Sequence, residues 1–505
     1  MLGRWSKLPE TVRDRLGLLM FSLPLLLLTA GTPSLMAHDE GYYAAQARWI
    51  WETGDWITVS WWGQPLYDRT IGCQWLMALS YGLWGVTEWG ARFPSLVGAM
   101  LSVLLTYEIG RYWGSMAVAR LGSALLMLMV LWVQYARLAT QDMLLVAVEL
   151  LGIWALLRVL QSSPRWGILA GITWGWGFLI KGFMVVLYPM ALAPFLLYHY
   201  RRWGYGWLGL GVVLGAVPVL LWLGLSVWVY GNIPLAQLFG KLLYLHETNT
   251  YDRGWFYYLW NIPVNGAPWV LLSGFGAWRV GRERFGDKVL LWVGYPLMFL
   301  VLLSSFRTRT PYYALQLLPF LALLAAVALR EERWQKFWRW GALGLGGLLL
   351  LAAVIVPIFV PIPEILTYRP LAVMLGGGWL GCLVFKPKGG VWRFLLPAWL
   401  AIALSGSMGL WDDYSRDFRE QWQRAAIPNA PLDLVLPDRE LLGDDHKTWV
   451  LLSFYAPHLG RAMVEFPKAQ PNIYLWVPPD RVIPEGWQSR ARLGNWQLVE
   501  GGGLG

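Results

Sequence analysis

Residues 16–43 read LGLLMFSLPLLLLTAGTPSLMAHDEGYY, an apolar segment followed closely by two acids. The apolar part runs from about Leu16 to Ala30, and Asp39 and Glu40 stand just beyond it. A polar, Trp-rich loop comes next, and then a long series of further apolar segments. Acids at such a position lie at a membrane surface, where water solvates them and where they can react with substrates carried by lipids. The first segment ends in a poor cleavage site, so we expect it to be retained as an anchor.

The composition of the whole chain is that of a membrane protein. Of its 505 residues, 57% are hydrophobic and 14% are charged, whereas a soluble domain carries about 25% charged residues. Apolar runs of about 17–22 residues recur, and each is long enough to cross a hydrocarbon core of roughly 30 Å. The 36 Trp and 23 Tyr residues fit aromatic belts at the two membrane interfaces. Stacking on sugars is an alternative use for them.

The net charge of +10 does not indicate nucleic acid binding, because the basic residues fall in short clusters between the apolar runs. This distribution is typical of cytoplasmic loops under the positive-inside rule. The clusters are Arg4, Lys7, Arg13 and Arg15; Arg201 and Arg202; Arg279, Arg282, Arg284 and Lys288; Arg330, Arg333, Lys336 and Arg339; and Lys386, Lys388 and Arg393.

The apolar runs predict about thirteen membrane crossings with a basic N-terminus inside. Each basic cluster then falls on the inner side, as the positive-inside rule requires. The predicted spans are 16–30, 93–110, 116–134, 141–160, 166–180, 182–199, 206–230, 264–280, 288–305, 311–329, 340–359, 370–385 and 392–409. The fold class is therefore an all-α polytopic membrane domain over residues 1–410, followed by a small domain.

Three polar regions then lie outside. The first, 31–92, contains two candidate amphipathic helices, Tyr42–Glu52 and Cys73–Trp84, which we expect to lie flat on the membrane. The second region is 231–263. The third, 411–505, has a soluble composition and predicts a small extracytoplasmic α/β domain. Its predicted elements are a helix at Asp417–Ala426 and strands at Trp449–Leu452 and Asn472–Val477.

This topology gathers acids and cations on the outer face. The acids are Asp39, Glu40, Asp68 and Asp142, and the cations are Arg69, Lys181, Arg253, Arg307 and Arg309. Ionisable groups beside membrane segments are costly and mark functional sites. The set suits a reaction in which cations hold a lipid phosphate and a carboxylate takes a proton from an acceptor hydroxyl.

At these residues the chain resembles the polyprenyl-phosphate-dependent glycosyltransferases of the GT-C class, in particular the aminoarabinose transferases and the bacterial relatives of protein O-mannosyltransferases. The resemblance covers about residues 1–330. It rests on Asp39-Glu40-x-x-Tyr43, Tyr67-Asp68-Arg69, Trp75–Ser80, Glu88–Ser95, Asp142, Lys181-Gly182 and Arg309-Thr310-Pro311-Tyr312-Tyr313. The family usually has Lys-Pro-Pro where Arg69-Thr70-Ile71 stands, and Lys in place of Arg309. Arginine keeps the charge and binds phosphate through two nitrogens.

The resemblance implies transfer of a sugar, with inversion, from an undecaprenyl-type phosphate to a lipid, protein or glycan hydroxyl. It implies a bacterial plasma membrane location with the active site on the extracytoplasmic face. Asp39 would be the catalytic carboxylate, and Asp142 and Glu40 would position the acceptor or a divalent cation. The cation, if bound, would involve Asp39 and Asp142. The donor phosphate would be bound by Arg69, Lys181, Arg253, Arg309 and Tyr313, with Tyr43 and Asp68 in support.

Structural interpretations of the same residues stay open at this point. Asp39 or Glu40 can cap the helix that begins near Tyr42. Asp68 with Arg69 can be an interfacial ion pair, and Lys181 can extend to the lipid headgroups. The alternative function is a transporter or flippase of glycosylated lipids. Such folds commonly show internal repeats and polar groups near the bilayer midplane, whereas here the polar groups lie at helix ends.

Overall fold

The computed structural model describes residues 8–28, 30–247, 252–360, 362–385 and 391–502. Four residues of the predicted inner clusters, Arg4, Lys7, Lys386 and Lys388, lie outside these ranges, as do residues 248–251 of the second predicted outer region.

The first half of the chain is helical apart from one short hairpin. Side-chain oxygens of Thr87 and Ser115 accept from the N–H groups of Gly90 and Val118 and so cap two of the helices. The elements are α1 (Glu10–Leu27), a π turn (Ala37–Gly41), α2 (Tyr42–Thr53), β1 (Ser60–Trp61), β2 (Gln64–Pro65), α3 (Gly72–Trp84), α4 (Glu88–Trp113), α5 (Met116–Leu126), α6 (Val130–Ala136), α7 (Asp142–Gln161), α8 (Trp166–Lys181), a 3-10 turn (Gly182–Val186), α9 (Leu187–Tyr198), α10 (Tyr205–Tyr230) and α11 (Ile233–Glu247).

The second half continues in the same way up to residue 407. The elements are α12 (Tyr257–Asn265), a 3-10 turn (Trp269–Leu272), α13 (Ser273–Gly281), α14 (Asp287–Val289), a π turn (Leu290–Gly294), α15 (Tyr295–Ser305), a 3-10 turn (Pro311–Leu317), α16 (Leu318–Leu329), α17 (Glu332–Phe359), α18 (Pro363–Leu366), α19 (Arg369–Phe385) and α20 (Trp392–Ser407).

Seven described helical segments are long and apolar enough to cross a membrane, and α5 with α6, bent by 68°, would be an eighth. The predicted count of thirteen is therefore not confirmed. The predicted spans 16–30, 264–280, 370–385 and 392–409 fall on shorter or more polar helices. The predicted spans 166–180 and 182–199 run together as one apolar segment.

That apolar segment reverses direction at Gly182. Gly182 has a positive φ of 59° and ends α8 at Lys181. Pro164 precedes α8 and Gly204 follows α9, yet a Cβ placed on Gly204 would lie only 2.7 Å from the Cβ of Pro164. The chain thus returns to the side from which it started. This turn puts Lys181 at one end of the helical bundle.

Helices α8 and α10 pack through glycines rather than through large side chains. Gly171 and Gly175 of α8 face Gly211 and Gly215 of α10, and a methyl group on any of the four would overlap or press on the backbone of the other helix. Two such small-x-x-x-small pairs allow close backbone approach inside a membrane. The interface fixes the helix that carries Lys181.

The two predicted amphipathic helices of the first outer region are present as α2 and α3. Most of α2 is buried, including Tyr43, Ala44, Ala47 and Ile50, so it packs inside the protein rather than lying free on a surface. The hairpin β1–β2 follows α2, with Ser60 opposite Pro65. This region therefore forms a layer between the membrane helices and the C-terminal part of the chain.

The C-terminal part contains a five-stranded mixed sheet. Its strand order is β4-β3-β5-β7-β6, with β3 parallel to β4 and β5, and with β7 antiparallel to β5 and β6. The elements are α21 (Arg416–Arg424), β3 (Leu432–Val435), α22 (Gly443–Tyr455), β4 (Ala462–Met463), β5 (Tyr474–Val477), β6 (Trp487–Leu493) and β7 (Trp496–Gly501).

The predicted helix at Asp417–Ala426 and the strand within Asn472–Val477 are confirmed. The predicted strand at Trp449–Leu452 is wrong, because these residues lie in α22. A four-residue apolar run has no period that separates a buried strand from a buried helix. The boundary at residue 410 stays a prediction.

The C-terminal domain docks on the first outer region through backbone hydrogen bonds. The Arg48 guanidinium in α2 donates to the carbonyl oxygens of Phe454, Ala456 and Pro457, at 2.9, 2.5 and 3.2 Å. Ala462 N–H donates to the carbonyl of Trp62 at 2.9 Å. Gly41 lies so close to α22 that a Cβ would be 2.8 Å from a methyl of Val450.

We predict that Gly175→Ala lowers the thermal unfolding midpoint of the detergent-solubilised protein, because the added methyl group separates α8 from α10. Overpacking of this kind costs about 1–3 kcal/mol. Gly209→Ala is the matched control, since Gly209 lies in α10 with open space around its Cβ position. Equal midpoints for the two variants would contradict the proposed packing.

Candidate functional site

The π turn Ala37–Gly41 places two consecutive acids in opposite environments. The side chain of Asp39 is 31% exposed, whereas that of Glu40 is fully buried. The N-cap position of α2 is Gly41, which has no side chain to cap the helix. The carboxylate of Asp39 instead lies 3.9 Å from the guanidinium of Arg69. The interpretation of Asp39 as a helix cap therefore has no support from this geometry.

Arg69 is the cation that faces Asp39. Its Nη2 is 3.9 Å from Asp39 Oδ1, its Nη1 donates to Asp68 Oδ2 at 2.9 Å, and its Nε donates to the Tyr43 hydroxyl at 3.2 Å. The guanidinium also lies about 5 Å from the ring centres of Tyr42 and Tyr43. Burial lowers the pKa of Arg69, but Tyr43, Asp68 and Asp39 outweigh burial and raise it above its usual range. Arg69 is thus a fixed cation with one fifth of its side chain exposed.

A second acid–cation pair lies at the meeting point of two helices. Asp142 is the first residue of α7, and Lys181 is the last residue of α8. The two form an ion pair in which both side chains are largely buried. The Lys181 ammonium also lies 4.8 and 5.2 Å from the ring centres of Tyr312 and Tyr313. The ammonium therefore contacts one carboxylate and two aromatic rings.

The two pairs belong to one site. The Tyr43 hydroxyl accepts from Arg69 and donates to Gln141 Oε1 at 3.2 Å, next to Asp142. Asp39 and Asp142 interact electrostatically with each other, and both act on the hydroxyl of Tyr312. Two carboxylates and two cations therefore face one space at one end of the bundle. Gln141 and Tyr312 are members that the sequence analysis did not assign.

The remaining predicted cations are placed differently. Arg309 is buried and engaged by Asp252 at 2.5 Å and by the carbonyl of Ser304 at 3.0 Å. Arg253 is exposed, and its Nη1 donates to the Tyr257 hydroxyl at 3.3 Å. Arg253 is therefore available to a ligand. Arg309 instead pairs with Asp252 and so supports the loop that carries Arg253.

Glu40 is fully buried and paired with Arg92, and its predicted catalytic role stays a prediction. Its two oxygens accept from Nε and Nη2 of Arg92 at 2.9 and 3.0 Å. They also accept from the backbone N–H groups of Ala139 and Met36 at 2.6 and 2.7 Å. With four donors on two buried oxygens, Glu40 is fully engaged.

Arg92 extends this cluster to the segment that follows α20. It donates to the carbonyls of Ala30, Pro33, Ser34 and Asp412, and Asp412 in turn accepts from Arg137 at 2.8 Å. We call Glu40, Arg92, Arg137 and Asp412 the buried charge cluster. The sequence signal for this cluster is Arg92, a charged residue near the start of the apolar helix α4.

In the described part of the chain, Asp39 and Asp142 have no further side chains arranged around them as metal ligands. Among the described residues, no group of three or more His, Cys, Asp or Glu side chains is arranged to hold a metal ion. Hard divalent cations require several oxygen ligands, and one oxygen of Asp142 is already engaged by Lys181. The divalent cation at Asp39 and Asp142 stays a prediction.

The chain is similar to known proteins over its membrane part. The family described as dolichyl-phosphate-mannose-protein mannosyltransferase matches residues 68–222. An undecaprenyl phosphate-alpha-4-amino-4-deoxy-L-arabinose arabinosyl transferase of Pseudomonas aeruginosa is 30% identical over 435 residues, 78% of this chain and 74% of the relative. The chain belongs to the GT-C family of polyprenyl-phosphate glycosyltransferases. The predicted resemblance is thus confirmed.

Other members of the GT-C family show how far the likeness extends. A Pseudomonas fluorescens arabinosyl transferase is 30% identical over 62% of this chain, and the match spans 57% of that relative. ArnT from Cupriavidus metallidurans, solved bound to undecaprenyl phosphate, has the same fold with a TM-score of 0.77 at 20% identity, covering 97% of each chain. The Archaeoglobus fulgidus oligosaccharyltransferase has a TM-score of 0.54 at 11% identity, covering 90% of this chain and 65% of its own.

We predict that Glu40→Gln lowers the thermal unfolding midpoint strongly, because it leaves Arg92 as a buried and partly unpaired charge. Breaking a buried ion pair from one side costs about 3–5 kcal/mol. Glu52→Gln is the control, since Glu52 pairs with Arg48 at a more exposed position. A Glu40→Gln protein with a normal midpoint and no activity would instead support the predicted catalytic role of Glu40.

Proposed function

We propose that the protein transfers a glycosyl unit from a polyprenyl phosphate to an acceptor hydroxyl at the outer face of a bacterial plasma membrane. The observation that carries this proposal is the neighbourhood of two acid–cation pairs, Asp39 with Arg69 and Asp142 with Lys181, which the hydrogen bonds of Tyr43 connect. Membership of the GT-C family supports the reaction class.

Arg69 and Lys181 are suited to the leaving lipid phosphate. In the transfer, the bond between the anomeric carbon and the phosphate oxygen breaks, and negative charge develops on the phosphate. Fixed cations aimed at that position stabilise the transition state more than they stabilise the ground state. The Arg69 guanidinium is held by Asp68 and Tyr43, so it does not have to reorganise when the charge appears. Arg253 is a further, exposed candidate for the same phosphate.

Asp39 is suited to act as the general base. It is the more exposed of the two site acids, 31% against 10% for Asp142. Its contact with Arg69 is long, at 3.9 Å, which leaves carboxylate oxygen free for a hydroxyl proton. A base that activates the acceptor on the face opposite the leaving group gives inversion at the anomeric carbon. Asp142 holds Lys181 in place.

The orientation of the site follows from the charges at the other end of the bundle. In α4, Arg92 lies near the site, while Tyr107 and Glu108 are about 23 Å further along the helix axis. There, Glu108 pairs with Arg15 at 2.7 Å and Asp14 pairs with Arg120 at 3.2 Å. Because arginines and lysines favour the cytoplasmic side, the site end faces outward.

The relatives suggest the donor. Several are named for transfer from undecaprenyl phosphate-alpha-4-amino-4-deoxy-L-arabinose, and we propose an undecaprenyl-type phosphate that carries a pentose or hexose. The acceptor is a hydroxyl of a lipid, a protein or a glycan. The change from Lys-Pro-Pro to Arg69-Thr70-Ile71 alters the loop that lies against the donor.

We predict that Asp39→Asn lowers kcat for release of free polyprenyl phosphate by about 10²–10⁴-fold, because the amide cannot accept the hydroxyl proton. Lys181→Met should weaken binding of the lipid phosphate. The assay offers a panel of polyprenyl-phosphate sugars with a membrane extract as acceptor source to purified protein in nanodiscs. Asp417→Asn, at an exposed acid of α21, is the control.

Full activity in a folded Asp39→Asn protein would overturn the assignment of the base. Movement of labelled lipid across vesicles without its consumption, by wild type, would favour the transporter alternative instead.

A further inference from the structure

Two cavities adjoin each other at the start of α20. The first, of about 490 Å³, lies between α19 and α20 and is lined mainly by apolar side chains. The second, of about 500 Å³, lies between the start of α20 and the ends of α5, α16 and α17, and charged and polar side chains line part of it. Trp392, the first residue of α20, lines both cavities. We call the two together the inner recess.

The apolar part of the inner recess is a groove between two helix faces. On α20, its wall consists of Leu396, Leu400 and Leu404, which are spaced four residues apart and are 58%, 44% and 50% exposed. Gly378 of α19 and Pro397 of α20 also line the groove, and a Cβ on Gly378 would lie 2.6 Å from the Cβ of Pro397. The leucine wall extends about 12 Å along the helix axis.

The polar part of the inner recess lies at the end of the bundle opposite the candidate site. Arg120 lines it and pairs with Asp14 at 3.2 Å and with Glu10 at 3.5 Å. These are among the charges that mark the inner, cytoplasmic end. From Trp392, α20 leads towards Asp412, whose carbonyl accepts from Arg92 near the site. The groove therefore runs from the inner surface into the apolar part of the bundle.

Two cations of the inner recess are available to an anion. Arg330 lines the polar part and is exposed, and the neighbouring Glu331 pairs with Arg279 and Arg333 rather than with Arg330. Arg393 lines the apolar part beside Trp392, and its Nε is buried without a hydrogen-bond partner among the residues that the structure describes. A buried donor of this kind is costly unless a ligand satisfies it.

We propose that the inner recess binds an anionic diacyl phospholipid of the inner leaflet. Its phosphodiester lies at Arg330 and Arg393, which line the cavities on either side of Trp392, and one acyl chain lies along the leucine wall. Basic pockets between transmembrane helices on the cytoplasmic side are suited to anionic headgroups. A zwitterionic lipid fills the same groove but brings its own cation to the arginines, so the recess selects for net negative charge. The proposal does not depend on glycosyl transfer, since the recess lies away from the candidate site.

The test is native mass spectrometry of the full-length protein in detergent, titrated with phosphatidylglycerol or with phosphatidylcholine of the same acyl chains. Wild type should bind phosphatidylglycerol about tenfold more tightly, and Arg330→Gln should reduce that preference about fivefold, the contribution of one basic residue. Leu400→Trp should weaken both lipids about tenfold, because the indole displaces about two methylene groups of the chain. Glycerol phosphate, which has the anionic headgroup without chains, should not compete.

The controls keep the chemistry of each change but lie outside the recess. Arg282→Gln removes an exposed inner cation that lies over the ring of Trp278, and Leu348→Trp enlarges an exposed leucine of α17. Equal affinity of wild type for the two lipids would overturn the proposal, as would equal losses in the controls or unchanged binding in Arg330→Gln and Leu400→Trp. Competition by glycerol phosphate would identify a site for free phosphate esters instead. A dimer that Leu400→Trp converts to monomer without a change in lipid binding would show that a second copy occupies the groove, and would equally overturn the lipid assignment.

Discussion

The buried charge cluster of Glu40, Arg92, Arg137 and Asp412 is the constraint on which the site depends. Each of its four side chains is almost fully buried, and burial of charges is costly unless every group is paired. Glu40 meets that condition by accepting from Arg92 and from the N–H of Ala139. The π turn before α2 and the segment before α7 are therefore held against each other. Asp412 adds the segment after α20 to the same cluster.

This arrangement explains why two adjacent acids have different roles. Glu40 points inward and fixes the turn, which leaves Asp39 at the surface of the cleft. Ala139, held by Glu40, is three residues before Asp142, so the same carboxylate also sets the position of the second site acid. Lys181 reaches that acid because α8 is held close to α10 by glycines and ends at Gly182. The catalytic geometry thus follows from packing that lies beneath it.

The residues predicted for the site divide by burial: four of them lie together in two acid–cation pairs, whereas Glu40 and Arg309 are buried elsewhere. Asp39, Arg69, Asp142 and Lys181 were predicted from their position beside apolar runs and from the motif order, and they come together. Glu40 and Arg309 also lie in the motifs that carry the resemblance, but both are buried, and Arg92 and Asp252 engage them. No periodic pattern reports which of two neighbouring acids will face inward. Hydropathy is a local property of the sequence. It therefore predicted both the helical membrane fold and the approximate ends of the helices.

Other features depend on contacts between distant parts of the chain. His446 stacks on His38 although about 400 residues separate them, and neither histidine lies in a recognisable motif. Trp449–Leu452 lies in a helix, α22, and Val450 and Leu451 pack on the π turn beside Gly41. The predicted count of membrane crossings was not confirmed where apolar runs break into short helices, as between Tyr257 and Gly281. Only tertiary packing determines these breaks.

The most direct test of the account is a cryo-EM structure of the protein in nanodiscs with undecaprenyl phosphate. We predict phosphate density between Arg69 and Lys181, with Asp39 open to solvent beside it and Glu40 still bound to Arg92. Density for the phosphate at a place that neither Arg69 nor Lys181 contacts would contradict the proposed site.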